Sequence, residues 1–280
     1  MKKSMFEREM TMSKLFGKII VGLTVLSLII APTAQAVTVK EIQDKGEIVM
    51  GTSPDFPPFE WTVMEDGKAK IIGIDAEIAQ LIADELGVEL RIDGTSFDAL
   101  IPSLQGNKID MALSGITETE ERKKEVGFSN NYYKTESKFI IRLEDKDKYK
   151  SSEDFEKLKI GVQKGTIQEE ELREHYPNAD ITSMNRNGDL IEALKNGKVE
   201  AILMDQIVVN EFVGLNKDKI TIQDSVSLNS DDEGFAVAVN KDSEELIEVI
   251  NKVIDEAVES GKISDMVIKY SDLSSSEASE

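Results

Sequence analysis

The feature of this sequence that most restricts its fold is an internal repeat of one helix–strand unit. Residues 100–113 match residues 190–203 at a constant offset of 90 positions, without a gap. Five matched pairs are identical and two are conservatively exchanged: Leu100/Leu190, Ile101/Ile191, Leu104/Leu194, Lys108/Lys198, Leu113/Leu203, Ile109/Val199 and Asp110/Glu200. A common helix–strand pattern can also match itself by chance. If the match is genuine, the chain contains two similar α/β lobes.

The hydrophobic pattern around the repeat alternates between short β-type runs and amphipathic helices. Residues 48–52, 88–92 and 109–113 are predicted strands, because each is a short β-type run, either mainly apolar or, at 88–92, alternately apolar and charged. Two helical stripes separate these strands, one that ends before Gly87 and one that opens the repeat. Alternation of this kind predicts parallel sheets with helices on their faces.

Two β-type stretches, residues 138–143 and 234–239, lie on either side of the second copy of the repeat. A chain that leaves one lobe, builds a second and returns needs two crossings, and these stretches are predicted to be the hinge strands. The predicted division is a discontinuous lobe 1 (residues 37–139 and 234–270) and a lobe 2 (residues 140–233), with a ligand cleft between them. The predicted fold class is therefore α/β, with mixed, mostly parallel sheets in both lobes.

Two segments near the C-terminus complete the expected organisation. The spacing of apolar residues over 243–259 predicts a long amphipathic helix that packs on lobe 1, with Gly261 as its C-terminal cap. Residues 271–280 are small and acidic, so we expect them to be disordered.

Residues 1–36 have the layout of a secretory signal peptide. A mostly basic lead-in precedes an apolar run at 19–30, and Ala34-Gln35-Ala36 supplies small residues for cleavage. The apolar run is shorter than the roughly 20 residues that a membrane-spanning helix needs. We therefore expect export and cleavage rather than a membrane anchor.

Composition excludes several classes of function. The chain has no cysteine and a formal net charge of −21, so it has no disulfide, no cysteine-ligated metal and no lipid on an N-terminal cysteine. A strongly acidic surface repels nucleic acid phosphates, and we expect no nucleic acid partner. His175, the only histidine, lies near a predicted helix end, and no catalytic Ser–His–Asp set, metal site or cofactor is predicted.

The two copies of the repeat end their strands at residues 114–115 and 204–205, where ligands of open α/β sheets bind. Beyond the first of these ends, Arg122 could take a carboxylate through two parallel hydrogen bonds. At the second, Asp205 could accept from an ammonium group. On spacing alone the simpler interpretation is a helix capped by Thr117, with Arg122 paired to a glutamate one turn earlier and Asp205 capping the next helix. Together, however, the arginine and the aspartate would suit the two ends of a zwitterion.

The loop after the first predicted strand, residues 53–61, carries three aromatic residues among prolines. A stiff turn of this kind can form a stacking wall for a ligand side chain. Loop aromatics just as often plug the local core, and the sequence alone leaves both interpretations open.

Six segments, taken in order, resemble the polar amino-acid solute-binding proteins of bacterial ABC importers, and the resemblance runs from about Ile48 to Tyr270. They are Pro-Pro-Phe-Glu-Trp at 57–61, Ile-Gly-Ile-Asp at 72–75, Ser-Gly-Ile-Thr-x-Thr-x-Glu-Arg at 114–122, Phe-Ser-x-x-Tyr-Tyr at 128–133, Gly-Val-Gln-Lys-Gly-Thr at 161–166 and Met-Asp-Gln at 204–206. The resemblance implies the two-lobed fold of type II periplasmic binding proteins, in which the lobes close on a ligand.

The resemblance also implies which residues contact the ligand. They are Arg122, Thr117 and Thr166 for its carboxylate; Asp205 and the backbone at Ser114 and Gly115 for its amino group; and Phe56, Ser53, Trp61 and Gln163 for its side chain. In this scheme the ring of Phe56 stacks on the ligand side chain, and no metal takes part.

Three positions depart from common usage in the family. Ser53 stands in place of a frequent aspartate, Ile74 in place of a phenylalanine and Ile167 in place of a small or hydroxylated residue. All three could line the side-chain region, so they leave the identity of the bound amino acid open. The departures and the acidic surface favour a polar or cationic amino acid such as glutamine, arginine or lysine.

We therefore expect an exported, monomeric binding protein that delivers a free amino acid to the permease of an ABC transporter. It would act in the periplasm or at the extracellular face of the cytoplasmic membrane. One alternative is an exported enzyme on the same fold, an amino-acid or prephenate-type dehydratase, which would need a general acid such as Asp205 or Glu60. Another is the ligand-sensing domain of a receptor.

Overall fold

The computed structural model describes residues 37–228 and 234–277. Within these residues the chain forms two α/β units, each around a five-stranded sheet, and one small three-stranded sheet. The predicted signal peptide, residues 1–36, lies outside the described residues. None of the described helices has both the length and the apolar character that are needed to cross a membrane.

The strands are distributed over three sheets. The first sheet contains β1 (Glu47–Thr52), β5 (Glu89–Gly94), β6 (Met111–Ala112), β7 (Val126–Tyr133) and β13 (Phe235–Asn240). The second sheet contains β8 (Ser137–Arg142), β9 (Lys159–Gln163), β10 (Asp180–Met184), β11 (Ala201–Asp205) and β12 (Ile220–Leu228). The small sheet contains β2 (Asp55–Phe56), β3 (Glu60–Glu65) and β4 (Lys68–Ile72).

Helices connect the strands and cover the sheets. The α-helices are α1 (Val39–Lys45), α2 (Ile74–Leu86), α3 (Leu100–Gln105), α4 (Glu120–Lys123), α5 (Ile167–His175), α6 (Asn187–Lys195), α7 (Gln206–Leu215), α8 (Glu244–Glu259) and α9 (Lys262–Glu277). As predicted, α2 ends at Gly87 and α8 packs against β7 of the first sheet. The apolar side chains of these helices are buried in the core, which explains why amphipathic sequences form them.

The two five-stranded sheets have corresponding strand orders, β5-β1-β6-β13-β7 and β10-β9-β11-β8-β12. In the first sheet β5, β1 and β6 run parallel, and β13 is antiparallel to both of its neighbours. In the second sheet β10, β9 and β11 run parallel, and β8 is antiparallel to its neighbours. The predicted α/β fold class, with mixed and mostly parallel sheets, is confirmed.

The internal repeat is genuine, because its two acidic residues make the same backbone contacts in the two sheets. Asp110 donates its N–H to the Val49 carbonyl (2.9 Å), and its Oδ2 accepts from the Val49 N–H (2.8 Å). Glu200 donates its N–H to the Lys159 carbonyl (2.7 Å), and its Oε2 accepts from the Lys159 N–H (2.9 Å). Each acid therefore ties the start of its strand to the neighbouring parallel strand.

The repeated leucines also occupy corresponding places. A Cβ on Gly51 of β1 would lie 3.3 Å from a methyl group of Leu100, and a Cβ on Gly161 of β9 would lie 2.9 Å from one of Leu190. A glycine thus makes room in each sheet for the first leucine of the repeat, which brings the helix close to the strand. Residues that match at the offset of 90 positions therefore occupy equivalent packing positions in the two sheets.

The crossings between the sheets lie a few residues away from the predicted positions. The boundary predicted between residues 139 and 140 falls inside β8, which pairs with β11 from Ser137 onward. The apolar run of β8 is buried between β11 and β12 of the second sheet, so the first crossing occupies residues 134–136. The return crossing lies between β12 and β13, and part of it is outside the described residues.

The prediction that residues 271–280 are disordered is wrong for the part that the structure describes. Helix α9 continues to Glu277, and residues 278–280 lie outside the described residues. The Ser274 hydroxyl donates to Oε2 of Glu211 on α7 (2.5 Å), and both residues are buried. This small, polar sequence is helical because it packs against α7, a contact that composition does not reveal.

Gly73→Ala should destabilise the fold strongly. Gly73 precedes α2 with φ 132°, and a Cβ there would lie 2.1 Å from the Phe59 carbonyl oxygen. Because backbone strain and a backbone clash add up, we expect a loss of roughly 3 kcal/mol or more in the free energy of unfolding. Urea unfolding followed by circular dichroism measures this loss.

The matched control is Gly188→Ala in α6, where an added Cβ meets no atom within 4 Å. There we expect a gain of up to about 1 kcal/mol from helix propensity. Equal midpoints for the two variants would contradict the strain at Gly73.

Candidate ligand-binding site

A cavity lies between the first and second sheets, at the ends of the repeated strands β6 and β11. Eight of the ten predicted site residues line it: Phe56, Ser114, Gly115, Thr117, Arg122, Gln163, Thr166 and Asp205. The cavity has a volume of about 380 Å³, and residues of both sheet units line it.

Arg122 reaches the cavity from α4 and contacts both sheets. Its guanidinium donates to the Thr117 carbonyl (2.7 Å) and to the Gly165 carbonyl, which belongs to the second-sheet unit (3.0 Å). Its Cζ lies 5.6 Å from the centre of the Phe97 ring. Arg122 is buried, so its positive charge is largely removed from water at the cavity wall.

The cap of α4 differs from the prediction. Thr119, not Thr117, accepts from the Arg122 N–H (3.2 Å) as the N-cap. Thr117 instead forms a β-bridge with Phe235 of the first sheet, which delays the start of the helix by two residues. The glutamate that was the expected partner of Arg122 on spacing alone, Glu118, forms an ion pair with Lys123.

Asp205 lies across the cavity, at the end of β11. It is the N-cap residue of α7, but its side chain makes no capping hydrogen bond. Burial, together with the nearby Glu171 carboxylate, raises the pKa of Asp205 to about 7, although a hydrogen bond from Gln168 and the charge of Arg122 lower it. A further positive charge in the cavity would therefore stabilise the ionised form of Asp205.

The loop that follows β6 has its donors turned away from the cavity. The Ser114 hydroxyl donates to Oε1 of Glu60 (2.6 Å), and the Gly115 N–H donates to Oδ2 of Asp75 (3.1 Å). Gly115 has φ 56°, and a Cβ there would lie 2.6 Å from the Phe56 ring. Only glycine lets this aromatic ring lie directly on the loop backbone.

Thr166 begins α5 on the second-sheet side. Its hydroxyl donates to the Gln163 carbonyl (2.8 Å) and accepts from the Glu169 N–H (3.3 Å) as the N-cap. The Gln163 amide lies 3.5 Å from the Ser53 hydroxyl of the first-sheet unit and 3.4 Å from the Asn185 carbonyl. Ser53 is thus beside the cavity rather than in its lining.

Polar contacts also close the rim between the two sheets. The Asn187 N–H, at the start of α6, donates to Oδ2 of Asp55 (2.7 Å). Lys164 pairs with Asp98 at 2.8 Å. These contacts join elements of the first-sheet unit to elements of the second-sheet unit.

Trp61 does not take the predicted place in the site. Its ring packs edge-on against Tyr270 of α9, with centroids 5.9 Å apart and an interplanar angle of 85°. Trp61 is therefore part of the core beneath the small sheet. Both interpretations of the aromatic loop are therefore correct in part: Trp61 belongs to the local core, and Phe56 lines the cavity.

Sequence reasoning missed several residues of the lining: Phe97, Gln168, Asn187, Leu203 and Met204. Phe97 lies just before the helix that opens the repeat, and its apolar spacing gave no sign of a place in the site. Of the departures from family usage that could line the side-chain region, Ile167 does line the cavity, whereas Ile74 is fully buried in the core. Asn187 is the first residue of α6, the repeated helix, and this position was the sequence signal that could have identified it.

Comparisons with known proteins show which proteins the chain resembles. Residues 48–272 match the family described as bacterial extracellular solute-binding proteins, family 3. The chain is 33% identical to a protein of Campylobacter jejuni named "Probable histidine-binding protein", over 79% of this chain and 83% of the relative. It is also 33% identical to the arginine-binding extracellular protein ArtP of Bacillus subtilis, over 81% of this chain and 86% of the relative.

A solved structure extends the similarity to three dimensions. It is the amino acid ABC transporter substrate-binding protein AbpA of Streptococcus pneumoniae, bound to L-arginine. The TM-score is 0.81 at 39% identity, covering 84% of this chain and 98% of that chain.

Asp205→Asn should change how the free energy of unfolding depends on pH. Because the pKa of Asp205 is raised to about 7, its ionisation opposes folding, and this loss of stability grows as the pH rises from about 4 to about 7. We expect the variant to gain roughly 2–4 kcal/mol relative to the wild-type protein over that range. Urea unfolding at pH 4 to 8 measures the difference.

Asp44→Asn, at an acid whose side chain is 66% exposed, shows how much of the effect comes from removing one unit of surface charge. A stability difference for Asp205→Asn that stays constant with pH would contradict the buried, titrating carboxyl group.

Proposed function

The chain belongs to family 3 of the bacterial extracellular solute-binding proteins, and on this premise we propose that it captures a free basic amino acid, with arginine foremost, and delivers it to the permease of an ABC transporter. The observation that carries the proposal is that Arg122 and Asp205, from opposite sides, line one cavity. A guanidinium and a carboxyl group in this arrangement match the two charged ends of an amino acid.

In this proposal each end of the zwitterion meets an opposite charge. The ligand carboxylate binds the Arg122 guanidinium, with Thr117 and Thr166 nearby, and the ligand ammonium binds Asp205 and the loop at residues 114–115. Charge-assisted hydrogen bonds at both ends, in a site with little water, support micromolar affinity, or about −8 kcal/mol.

The side-chain end of the cavity suits a cation. The Phe56 ring is part of the cavity lining, and the Ser53 hydroxyl, the Asn185 carbonyl and the Asp55 carboxylate lie just behind the lining residues Gln163 and Asn187. An aromatic face with oxygen acceptors close behind the wall suits a planar guanidinium. The names of ArtP and of the arginine-bound AbpA support arginine, and the histidine-binding relative makes histidine the main competitor.

Capture would require the two sheet units to move apart, since Arg122 and the rim contacts join them around the cavity. We propose that the units are the two lobes and that they turn about the crossings at residues 134–136 and between β12 and β13. The Lys164–Asp98 and Asn187–Asp55 contacts at the rim would then form on closure. Hinge closure of this kind seals a ligand from solvent and creates a shape for a partner to recognise.

The site of action follows from the family, whose members are extracellular solute-binding proteins. We propose that residues 1–36 direct export and that the mature, monomeric protein works outside the cytoplasm.

A binding role is supported over the alternative of an exported dehydratase. The relatives are named as binding proteins. Of the two candidate general acids, Glu60 is fully buried and accepts from the Ser114 hydroxyl, which leaves it engaged with the protein. Asp205 lines the cavity, where its carboxylate would pair with the ammonium group of the ligand.

A thermal-shift screen across the twenty amino acids and cystine should give the largest rise in melting temperature with arginine. A ligand that binds only the folded state stabilises it by about 2.7 kcal/mol at one hundred times its Kd. Histidine, lysine and glutamine should give smaller rises. A largest shift with an acidic or aliphatic amino acid would overturn the proposed specificity, and no shift at all would overturn the proposed function.

Arg122→Ala should weaken arginine binding by about 3 kcal/mol, roughly 100-fold in Kd, because the ligand carboxylate would be buried without its charged partner. Isothermal titration calorimetry measures the change. Arg91→Ala is the matched control, since Arg91 lies on β5 in surface ion pairs with Glu47 and Asp93. Wild-type affinity in the Arg122 variant would remove the carboxylate assignment.

A further inference from the structure

Two buried carboxyl groups lie directly behind the loop at residues 114–115, and the binding scheme above gives them no role. Glu60 comes from β3 and Asp75 from the first turn of α2, and both are 0% exposed. Two carboxyl groups buried side by side destabilise a fold unless they are hydrogen-bonded and share a proton. We call them the carboxyl pair.

The carboxyl pair is connected to the loop and to a tyrosine. Glu60 Oε1 accepts from the Ser114 hydroxyl (2.6 Å), Asp75 Oδ2 accepts from the Gly115 N–H (3.1 Å), and Asp75 Oδ1 accepts from the Tyr132 hydroxyl (2.8 Å). Glu60 Oε2 is buried, and no donor among the described residues bonds to it. The Glu60 and Asp75 carboxyl groups interact with each other, and a proton held between them would satisfy both.

These contacts decide what the loop can offer to a ligand. The Ser114 hydroxyl and the Gly115 N–H both donate to the carboxyl pair, so neither is available for a ligand carboxylate. Behind them lies a pair that is negatively charged whenever it holds a single proton. A loop with engaged donors and a negative charge beneath it attracts an ammonium group and repels a carboxylate.

We propose that Glu60 and Asp75 are positioning residues for the ammonium end of the ligand. Holding one proton between them, they make the loop at residues 114–115 selective for a positive group. When the pair holds two protons it is neutral, and binding of the ligand ammonium then expels one of these protons to the solvent. This inference rests on the proposed function, because it needs an amino acid in the cavity.

The electrostatic surroundings place this change near neutral pH. Burial raises the pKa of Asp75 to about 7, against hydrogen bonds from Tyr132, Gly115 and Glu60 that lower it. Burial is the main cause that raises the pKa of Glu60 well above its usual range, and the negative charges of Asp75 and of Asp55 on β2 raise it further. The hydrogen bond from the Ser114 hydroxyl lowers it. The pair therefore goes from one proton to two as the pH falls through about 7, and affinity for the ammonium group should fall with it.

Calorimetric titration of L-arginine from pH 8 to pH 6, in two buffers with different ionisation enthalpies, gives both Kd and the protons released. For the wild-type protein we expect affinity to fall by up to roughly tenfold over this range, with release of a fraction of a proton on binding. The double variant Glu60→Gln/Asp75→Asn has no ionisable group in the pair and resembles the neutral pair at every pH. At pH 8 it should bind arginine roughly tenfold more weakly than the wild-type protein, and it should lose the part of the pH dependence that the carboxyl pair causes.

Two further variants separate the carboxyl pair from other causes. Asp205→Asn, titrated in parallel and in combination with the double variant, removes the other carboxyl group whose pKa is about 7. At Glu60, the isosteric Gln keeps both an acceptor for Ser114 and a donor for Asp75, whereas Leu keeps neither. We therefore expect Glu60→Gln to restore most of the affinity that Glu60→Leu loses, and equal losses in the two would contradict the shared proton.

The outcomes distinguish this inference from the proposed function. A wild-type protein that binds no amino acid overturns both. Arginine binding with full pH dependence and proton release in Glu60→Gln/Asp75→Asn overturns the inference alone. If that double variant does not fold, infrared difference spectra of Asp205→Asn at pH 6, with and without saturating arginine, give the answer: loss of a protonated carboxyl band supports the inference, and an unchanged band overturns it.

Discussion

The burial of an arginine and an aspartate in one cavity, each from a different sheet unit, is the constraint on which this site depends. The Arg122 guanidinium donates to neutral carbonyl oxygens of Thr117 and Gly165. The pKa of Asp205 remains raised to about 7 even though the charge of Arg122 lowers it, so the two groups do not neutralise each other fully. A zwitterion between them would supply a counter-charge to both and offset the desolvation that each suffers on folding.

The internal repeat creates this arrangement. Asp110 and Glu200 tie equivalent strands in the same way, and the sheets that result present the ends of β6 and β11 to one cavity. An amino acid has opposite charges at its two ends, so a symmetric site could not bind it well. The two copies therefore differ where their strands end, with Ser114 and Gly115 on one side and Asp205 on the other.

Local patterns predicted most of the fold, because hydrophobic periodicity and the repeat act over short distances. They predicted the site residues that follow the repeated strands directly, such as Gly115 and Asp205. They failed where a residue's surroundings come from distant parts of the chain. Trp61 meets Tyr270 of α9, and the polar end of α9 is helical because Ser274 meets Glu211. The composition of a segment does not show which distant residues will contact it.

Gly115 in the cavity wall and Gly165 beside Arg122 both donate their backbone N–H to carboxylates of the protein, Gly115 to Asp75 and Gly165 to Glu169. Backbone N–H groups at such turns commonly bind the anionic end of a ligand, and here these two are already engaged. In the proposed scheme the ligand carboxylate would therefore depend chiefly on Arg122. Specificity for an amino acid would then have two separate causes: a single guanidinium that binds its carboxylate, and buried acids that make the opposite wall favour its ammonium group.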